Sequence, residues 1–336
     1  MNIQTPYLLF LGDAADPLAA KVAQGICDWR PENAIGQFRM EGCHADLGLR
    51  DMTIAESIEA GAKTLVIGVA NRGGVISESW ISILRDALAQ GMDLAAGLHN
   101  KLADNAILKV DAEKLGRQLF DVRHPTDNFP VAAGVKRSGK RLLPVGTDCS
   151  CGKMYTALAI EKEMRSRGLN ADFRATGQTG ILITGKGVSI DAVVADFISG
   201  AVETLSPDNS DDHWDIIEGQ GSLFHPSFAG VTLGLIHGSQ PDALVLCHEP
   251  TRTHMRGLPT FSLPELQLCM ETSLAAAKLT NPNAKFVGIS VNTSKLDPEA
   301  AESYLKQTEQ KTGLVTVDPV RQGVSRLVDS IGVAFS

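Results

Sequence analysis

Short apolar runs and amphipathic segments alternate along the first part of the chain. Apolar runs of four to six residues are typical of strands buried inside a parallel sheet. The predicted strands are Tyr7–Leu11, Thr64–Val69, Leu94–Gly97 and Ile107–Val110. Pro17–Cys27 and Glu78–Gln90 carry apolar residues three or four positions apart, which predicts helices with one buried face. The alternation predicts a parallel sheet covered by helices.

The same alternation returns in the second part of the chain. The predicted strands are Leu142–Val145, Asp172–Thr176, Asp215–Glu218, Ala243–Cys247, Phe286–Val291 and Leu314–Val317. The predicted helices are Lys153–Arg167, Ile190–Leu205, Leu263–Lys278, Pro298–Lys311 and Val320–Ile331. The pattern therefore predicts an α/β fold with a second parallel sheet.

A polar interval with two prolines, Arg123–Lys140, separates the two parts. We place the domain boundary there, which gives a first domain of residues 1–130 and a second of residues 131–336. The chain has 336 residues, more than one hydrophobic core usually holds, in agreement with two domains.

Composition and charge narrow the function classes. With 43% hydrophobic and 21% charged residues the chain has the composition of a globular protein, and no apolar run is long enough for a membrane span. A net charge of −8 argues against nucleic acid as the main partner. Six sparse cysteines and the lack of a secretory leader predict a cytoplasmic protein. Cys149 and Cys151 have no partner pair and the histidines are scattered, so no metal site is expected.

The segment after the strand Leu142–Val145 has the sequence pattern of a phosphate-binding loop. Its glycines let backbone N–H groups face an anion, the helix that follows adds partial positive charge, and Lys153 adds a full one. Five residues separate Gly146 from Gly152, and Met154 stands where most such loops carry the hydroxyl that holds Mg²⁺. The residues predicted to bind the cofactor are Gly146, Thr147, Asp148, Cys149, Ser150, Cys151, Gly152, Lys153 and Met154.

Other polar segments follow strand ends and should converge on the same cleft, because ligands bind at the carboxyl ends of parallel strands. Glu218 is delivered by an apolar strand and flanked by Gly219, so it can act as a general base or bind a metal; a capping or salt-bridged carboxylate is the alternative. Ala175–Gly187 is predicted to be a flexible polar loop in which Gln178 and Thr179 bind substrate, or else a solvated surface loop.

Cationic side chains follow two further strands. His248, Arg252 and Arg256 suggest an anion site, the alternative being an exposed charged loop. Arg72, beside two glycines at a predicted helix start, is a candidate carboxylate cradle. Asn292 either reads a base edge or is an ordinary turn residue.

The sequence resembles two groups of proteins. Gly146-Thr147-Asp148, the spacing to Gly152-Lys153 and the later Glu218-Gly219 are similar to dethiobiotin synthetase and its P-loop relatives. A closer resemblance, over nearly the whole chain, is to a bacterial and archaeal family known as a domain of unknown function. That family pairs an N-terminal Rossmann-like domain with this P-loop domain. Its motifs resemble Gly-Thr-Asp-Cys, Gly-Lys-Met, Thr-Gly-Gln-Thr-Gly, Glu-Gly-Gln-Gly-Ser-Leu and Asp318-Pro319-Val320-Arg321.

Some members of this family are D-glutamate N-acetyltransferases that use acetyl-CoA in D-glutamate catabolism, and the resemblance implies that activity here. The phosphate loop would then bind coenzyme A, while Arg252, Arg256 and Arg72 hold the substrate carboxylates. An amine must lose a proton before it attacks a thioester, so a base is required. Glu218 is the first choice and His248 the second, with Asp148 a further catalytic candidate. A covalent acetyl-cysteine on Cys149 or Cys151 is another route.

Two rival functions stay open at this point. One is an ATP- and Mg²⁺-dependent ligase or kinase of the dethiobiotin synthetase type, with Asp148 and Glu218 holding the metal. The other is a nucleotide-sensing module without catalysis. Met154, where dethiobiotin synthetases have Thr, argues against their Mg-ATP chemistry. We expect a small-molecule substrate, no nucleic-acid or membrane partner, and a homo-oligomer, either a dimer or a tetramer.

Overall fold

A computed structural model describes residues 2–70, 74–125 and 127–336. The described residues among the first 127 form five strands: β1 (Tyr7–Gly12), β2 (Ala34–Arg39), β3 (Thr64–Ile67), β4 (Asp93–Ala96) and β5 (Leu119–Asp121). Their helices are α1 (Lys21–Trp29), α2 (Ile54–Glu59), α3 (Glu78–Ala89) and α4 (Ala106–Leu115). These strands form one parallel sheet in the order β2-β1-β3-β4-β5, as expected for a Rossmann-like domain.

The rest of the chain forms eight strands and seven helices within the described residues. The strands are β6 (Lys140–Gly146), β7 (Ala171–Arg174), β8 (Trp214–Ile217), β9 (Ala243–His248), β10 (His254–Met255), β11 (Leu258–Ser262), β12 (Lys285–Val291) and β13 (Thr316–Val317). The helices are α5 (Lys153–Ser166), α6 (Gln178–Thr184), α7 (Ile198–Leu205), α8 (Ala229–Ser239), α9 (Leu266–Lys278), α10 (Pro298–Thr312) and α11 (Ser325–Ala334).

Six of these strands form a second parallel sheet in the order β13-β12-β9-β6-β8-β7, while β10 and β11 pair as an antiparallel hairpin. The register aligns Gly146 of β6 with Cys247 of β9 and Leu142 with Ile216 of β8. Strand β6 is almost wholly buried and lies between β8 and β9. The predicted fold class, two parallel-sheet α/β domains with the P-loop domain second, is confirmed.

The chain divides into two compact units, and their limits do not follow the sequence order throughout. The first unit comprises Met1–Asp127 and Gly177–Ala192, and the second comprises Asn128–Thr176 and Val193–Ser336. Helix α6 therefore belongs to the first unit, where a side chain added at Gly25 of α1 would lie 3.5 Å from Ile183. Among the described helices, none combines the length and apolar character needed to cross a bilayer.

Three of the predicted elements are wrong. Ile107–Val110 lies in helix α4, because the Asn105 side chain accepts hydrogen bonds from the N–H groups of Ile107 and Leu108 and so starts a helix. Ala175–Gly187 is not a flexible loop but contains helix α6, whose residues 180–183 are buried. Ile190–Leu205 is not one helix, since the α-helical part begins only at Ile198.

Candidate functional site

The site in the second unit lies at the carboxyl edge of three neighbouring strands. Because β8, β6 and β9 are adjacent and parallel, the segments that follow them leave the sheet at the same edge. Glu218 follows β8, the phosphate loop follows β6, and His248 is the last residue of β9. The structure therefore brings together three of the segments that the sequence pointed to.

The phosphate loop is tightly curled. A side chain at Gly146 would lie 2.6 Å from the Cys151 sulfur and 3.0 Å from Lys153 Nζ, so the return of the loop onto its own start requires glycine. Ser150 has φ +51° and Gly152 has φ +108°, both in the left-handed region that non-glycine residues rarely occupy. Helix α5 then begins at Lys153, and the N–H groups of its first turn have no intrahelical acceptor and suit an anion.

Lys153 lies inside this loop. Its side chain is buried, and Nζ donates a hydrogen bond to the Asp148 carbonyl oxygen at 2.8 Å. The ammonium is thus held where an anionic ligand of the loop would meet it.

Asp148 links the loop to the segment after β9. Its Oδ1 accepts the Cys149 N–H at 2.6 Å. Its Oδ2 accepts Arg252 Nη1 at 2.7 Å and the Arg256 N–H at 2.9 Å. The carboxylate is fully buried, and both its oxygens are occupied by donors of the protein.

Arg252 forms hydrogen bonds with backbone carbonyl groups of the phosphate loop. Besides Asp148, its guanidinium donates to the carbonyl oxygens of Cys149 at 2.6 Å and Ser150 at 2.7 Å. Carbonyls held on the outside leave the loop's N–H groups to face inward, as phosphate binding requires. Arg256 is exposed, and its guanidinium donates to the Ser150 hydroxyl.

Glu249 forms an ion pair with Arg252. Glu249 was not predicted as a site residue from the sequence. It is buried and accepts Arg252 Nε at 2.5 Å, Lys295 Nζ at 2.7 Å and the Thr251 hydroxyl at 2.9 Å. Burial alone would raise the pKa of Glu249, but the hydrogen bonds from Lys295, Thr251 and Arg252 outweigh it and hold the pKa below its usual range. Its position at the end of the buried strand β9 is the signal that could have found it.

His248 closes one side of the phosphate loop. Its Nδ1 lies 3.0 Å from the Thr147 hydroxyl, and the ring is 8% exposed. Burial lowers the pKa of His248 to about 4, with Arg252 acting in the same direction and Glu249 against it. The imidazole is therefore neutral at neutral pH.

Glu218 closes the other side. Its side chain is 3% exposed, and Oε2 accepts the Thr176 N–H at 2.9 Å, while the Thr176 hydroxyl donates to the Glu218 carbonyl at 2.6 Å. The next residue, Gly219, lies against the stem of Lys153, because a side chain there would be 3.0 Å from Lys153 Cδ. Glu218 and the lysine of the loop are thus brought to the same part of the sheet edge.

Comparison with known proteins settles the family. Residues 38–125 match the domain described as "Domain of unknown function (DUF1611_N) Rossmann-like domain", and residues 130–328 match "Domain of unknown function (DUF1611_C) P-loop domain". The chain belongs to the DUF1611 family. The crystal structure of a DUF1611 family protein from Anabaena variabilis has a TM-score of 0.83 and 33% identity, over 98% of this chain and 100% of that one.

Two curated relatives are similar over nearly their full length. A protein of Tritonibacter scottomollicae named "D-glutamate N-acetyltransferase" is 62% identical over 98% of this chain and 99% of its own. A protein of Pseudoalteromonas sp. with the same name is 53% identical over 98% of this chain and 100% of its own.

Gly219 of this DUF1611 chain gives a stability prediction. A Cβ at this position would lie 1.8 Å from the Pro144 carbonyl oxygen of β6, so Gly219→Ala must push β8 and β6 apart. We expect the free energy of unfolding to fall by about 1–3 kcal/mol or more, as in overpacked cores. Gly230→Ala in α8 is the matched control, because nothing lies within 4 Å of its added methyl group. Urea unfolding of both variants measures the difference, and equal stability would contradict the close approach.

The buried His248 predicts a loss of stability in acid. An unfolded histidine titrates near 6.5 and the folded one near 4, so between these pH values the unfolded state binds the extra proton. The free energy of unfolding should fall with decreasing pH by up to about 1.4 kcal/mol per pH unit in this window. His248→Gln should flatten the slope, whereas the exposed His254→Gln should keep it. Urea titrations at several pH values test this, and a parallel slope in His248→Gln would contradict it.

The cysteines of the loop are poorly prepared for covalent catalysis. Burial raises the pKa of the Cys149 thiol, although Lys153 acts in the opposite direction. The Cys151 thiol is buried and donates to the Asp148 carbonyl oxygen at 3.1 Å. Since the thiolate is the nucleophilic form, the raised pKa of Cys149 does not favour an acetyl-cysteine at that residue.

Within the described residues, one group of possible metal ligands comes together, formed by Asp148, Cys149 and His225, with ligand atoms within 4.8 Å of one another. The Asp148 oxygens are already hydrogen-bonded. His225 Nδ1 accepts the Ser227 N–H at 3.2 Å, and Nε2 lies 3.2 Å from the Arg256 carbonyl oxygen. The Asp148 oxygens and the His225 nitrogens thus already have hydrogen-bond partners within the protein.

The remaining predicted site residues are Gln178, Thr179, Asn292, Met154 and Arg72. Gln178 and Thr179 are on α6 in the first unit, where the Gln178 side-chain oxygen accepts a hydrogen bond from Arg123. The Asn292 side-chain oxygen accepts the Ser294 N–H at 3.1 Å, which is a local turn contact. Met154 is the second residue of α5 and is half-buried. Arg72 lies outside the described residues.

Proposed function

We propose that this protein transfers the acetyl group of acetyl-CoA to the amino group of D-glutamate, giving N-acetyl-D-glutamate for D-glutamate catabolism. The observation that carries the proposal is the 62% and 53% identity, over nearly the full length, to two proteins named D-glutamate N-acetyltransferase. A P-loop whose lysine is followed by Met154 supports it, because such a loop can hold the phosphates of a coenzyme without the hydroxyl that binds Mg²⁺.

Residues at different strand ends have different roles in the proposed reaction. The loop Gly146–Lys153 binds the phosphates of the donor, whose thioester supplies the acetyl group. Glu218 takes the proton from the acceptor's nitrogen, and His248 is the second candidate for this role. The nitrogen forms a bond to the acetyl carbon, the carbon–sulfur bond breaks, and the sulfur leaves with the electron pair and then a proton. Arg256 binds a carboxylate of the acceptor. Arg72, Gln178 and Thr179 stay candidates from the sequence for binding the acceptor, and Asn292 stays one for contacting the donor.

Arg252 is proposed as a positioning residue of the phosphate loop. Its contacts to Asp148, Cys149 and Ser150 leave little of its guanidinium for a substrate carboxylate. We expect Arg252→Ala to weaken CoA binding at least tenfold, since hydrogen bonds to charged groups contribute about 1.5–3 kcal/mol each. Arg256→Ala should instead raise the KM for D-glutamate. Calorimetry with CoA and initial rates with D-glutamate separate the two, and the reverse pattern would restore Arg252 to the acceptor site.

The activity is tested by incubating the purified protein with acetyl-CoA and D-glutamate in EDTA, with L-glutamate as the matched control. Release of CoA thiol and formation of N-acetyl-D-glutamate, followed by mass spectrometry, are the expected results. Turnover that requires ATP and Mg²⁺ would favour a ligase or kinase of the dethiobiotin synthetase type. Tight nucleotide binding without turnover would favour a nucleotide-sensing module.

A further inference from the structure

The second unit contains a cavity beside the phosphate loop to which no ligand has been assigned above. Its volume is about 410 Å³, within the range of small-molecule sites. It lies between the segment after β9, the start of α9 and the middle of α10. His248 is shared between its wall and the loop, since the same ring contacts Thr147.

The wall of the cavity is aromatic and hydrogen-bonding. The rings of His248 and Tyr304 are nearly parallel, with centroids 6.2 Å apart and an interplanar angle of 23°. Ser262, Gln307 and Thr308 add hydroxyl and amide groups around them. His248 uses Nδ1 for Thr147, and Nε2 has no partner among the residues that the structure describes.

The charges of the cavity are compensated. Arg252 is paired with Asp148 at 2.7 Å and with Glu249 at 2.5 Å. Lys311 and Glu265 lie 3.8 Å apart at the rim, with side chains 75% and 83% exposed. A dicarboxylate such as glutamate needs positive partners that are not already neutralised, so this cavity suits an uncharged planar group better.

The order of the strands indicates which part of the donor would occupy the cavity. Glu218 follows β8 on one side of the phosphate loop, and the cavity adjoins the segment after β9 on the other side. If the phosphates lie on the loop, the thioester must extend toward the base, and the opposite end of the donor then extends toward the cavity. We propose that the cavity binds the adenine ring of the acyl-CoA donor, stacked against Tyr304 and His248. This inference rests on the proposed function for the identity of the donor and on Glu218, not His248, as the base.

Filling the cavity tests the inference. Gln307 lines it and Lys306 does not, while both are exposed on α10, so Gln307→Trp and Lys306→Trp are a matched pair. The probes are adenosine 3′,5′-bisphosphate, which lacks the pantetheine arm, and acetyl-pantetheine, which lacks the nucleotide. We expect Gln307→Trp to weaken adenosine bisphosphate binding at least tenfold in calorimetry. The loss in kcat/KM should be confined to donors that carry the adenosine part, and Lys306→Trp should match the wild type.

A second variant, Tyr304→Leu, removes the stacking surface and should weaken adenosine bisphosphate binding by about two- to tenfold. An equal loss with acetyl-pantetheine would overturn the inference in favour of the pantetheine arm, and a raised KM for D-glutamate alone would assign the cavity to the acceptor. Unchanged binding in both variants would also overturn it. Failure of the proposed function is distinguishable, because a wild type that binds adenosine bisphosphate through Gln307 and Tyr304 but transfers no acetyl group would retain this site.

Discussion

Glu218→Gln is expected to keep both substrates bound and to lower kcat by about 10²–10⁴-fold, the usual cost of losing a general base. The carboxylate is buried at the end of β8 and is oriented by the Thr176 N–H. Glutamine keeps the size of the side chain and an oxygen for that hydrogen bond, but it does not take up a proton from an amine. The fold and the neighbouring Gly219–Lys153 contact should therefore survive.

The measurement is a pH–rate profile of both proteins. The wild type should show a limb that reports titration of the base, and this limb should flatten in the variant. Glu271→Gln, on an exposed part of α9, is the control for the loss of one negative charge. A near-normal rate of Glu218→Gln at every pH would clear Glu218 and make His248 the residue to test next.

Lys153→Ala is expected to remove most of the affinity for CoA. The ammonium lies inside the phosphate loop, where it donates to the Asp148 carbonyl oxygen at 2.8 Å and to the Cys151 sulfur at 3.7 Å. Because a charge-assisted hydrogen bond contributes about 1.5–3 kcal/mol, affinity should fall at least tenfold.

Lys162→Ala is the matched control, since Lys162 is exposed on the same helix and far along it from the loop. Calorimetry with CoA gives the affinities, and urea unfolding shows whether the variants remain folded. Wild-type affinity in a folded Lys153→Ala protein would take the phosphate loop out of donor binding.

The sheets could be predicted from the sequence because their strands are buried and apolar over several consecutive residues. The same rule failed at Ile107–Val110, since a four-residue apolar run fits a buried helix as well as a strand. It also failed at α6, where glycines and hydroxyl residues indicated a loop. There Gly177 and Gly185 stand at the two ends of the helix, Gly185 with φ +75°, and do not interrupt it.

The predicted site also shows which features a sequence pattern can predict and which it cannot. The glycines and Lys153 of the phosphate loop are local in sequence, so the loop could be recognised from its spacing alone. The contacts of Arg252 to Asp148 and Cys149 join residues more than 100 positions apart, and no spacing rule reports them. An arginine that holds loop carbonyls and one that waits for a substrate carboxylate have the same appearance in a sequence.

The chain order of α6 has a consequence for biosynthesis. The Ile3 N–H donates to the Gly185 carbonyl oxygen at 2.7 Å, and Asn33 Nδ2 donates to the Ile183 carbonyl oxygen at 3.1 Å. Asn33 and Ile183 are 150 residues apart in the chain and Ile3 and Gly185 are 182 apart, so the later partner of each pair is made after the phosphate loop. The Rossmann-like unit therefore cannot be completed during synthesis before residue 192 has emerged from the ribosome. Until then the side of α1 that contacts α6 stays uncovered.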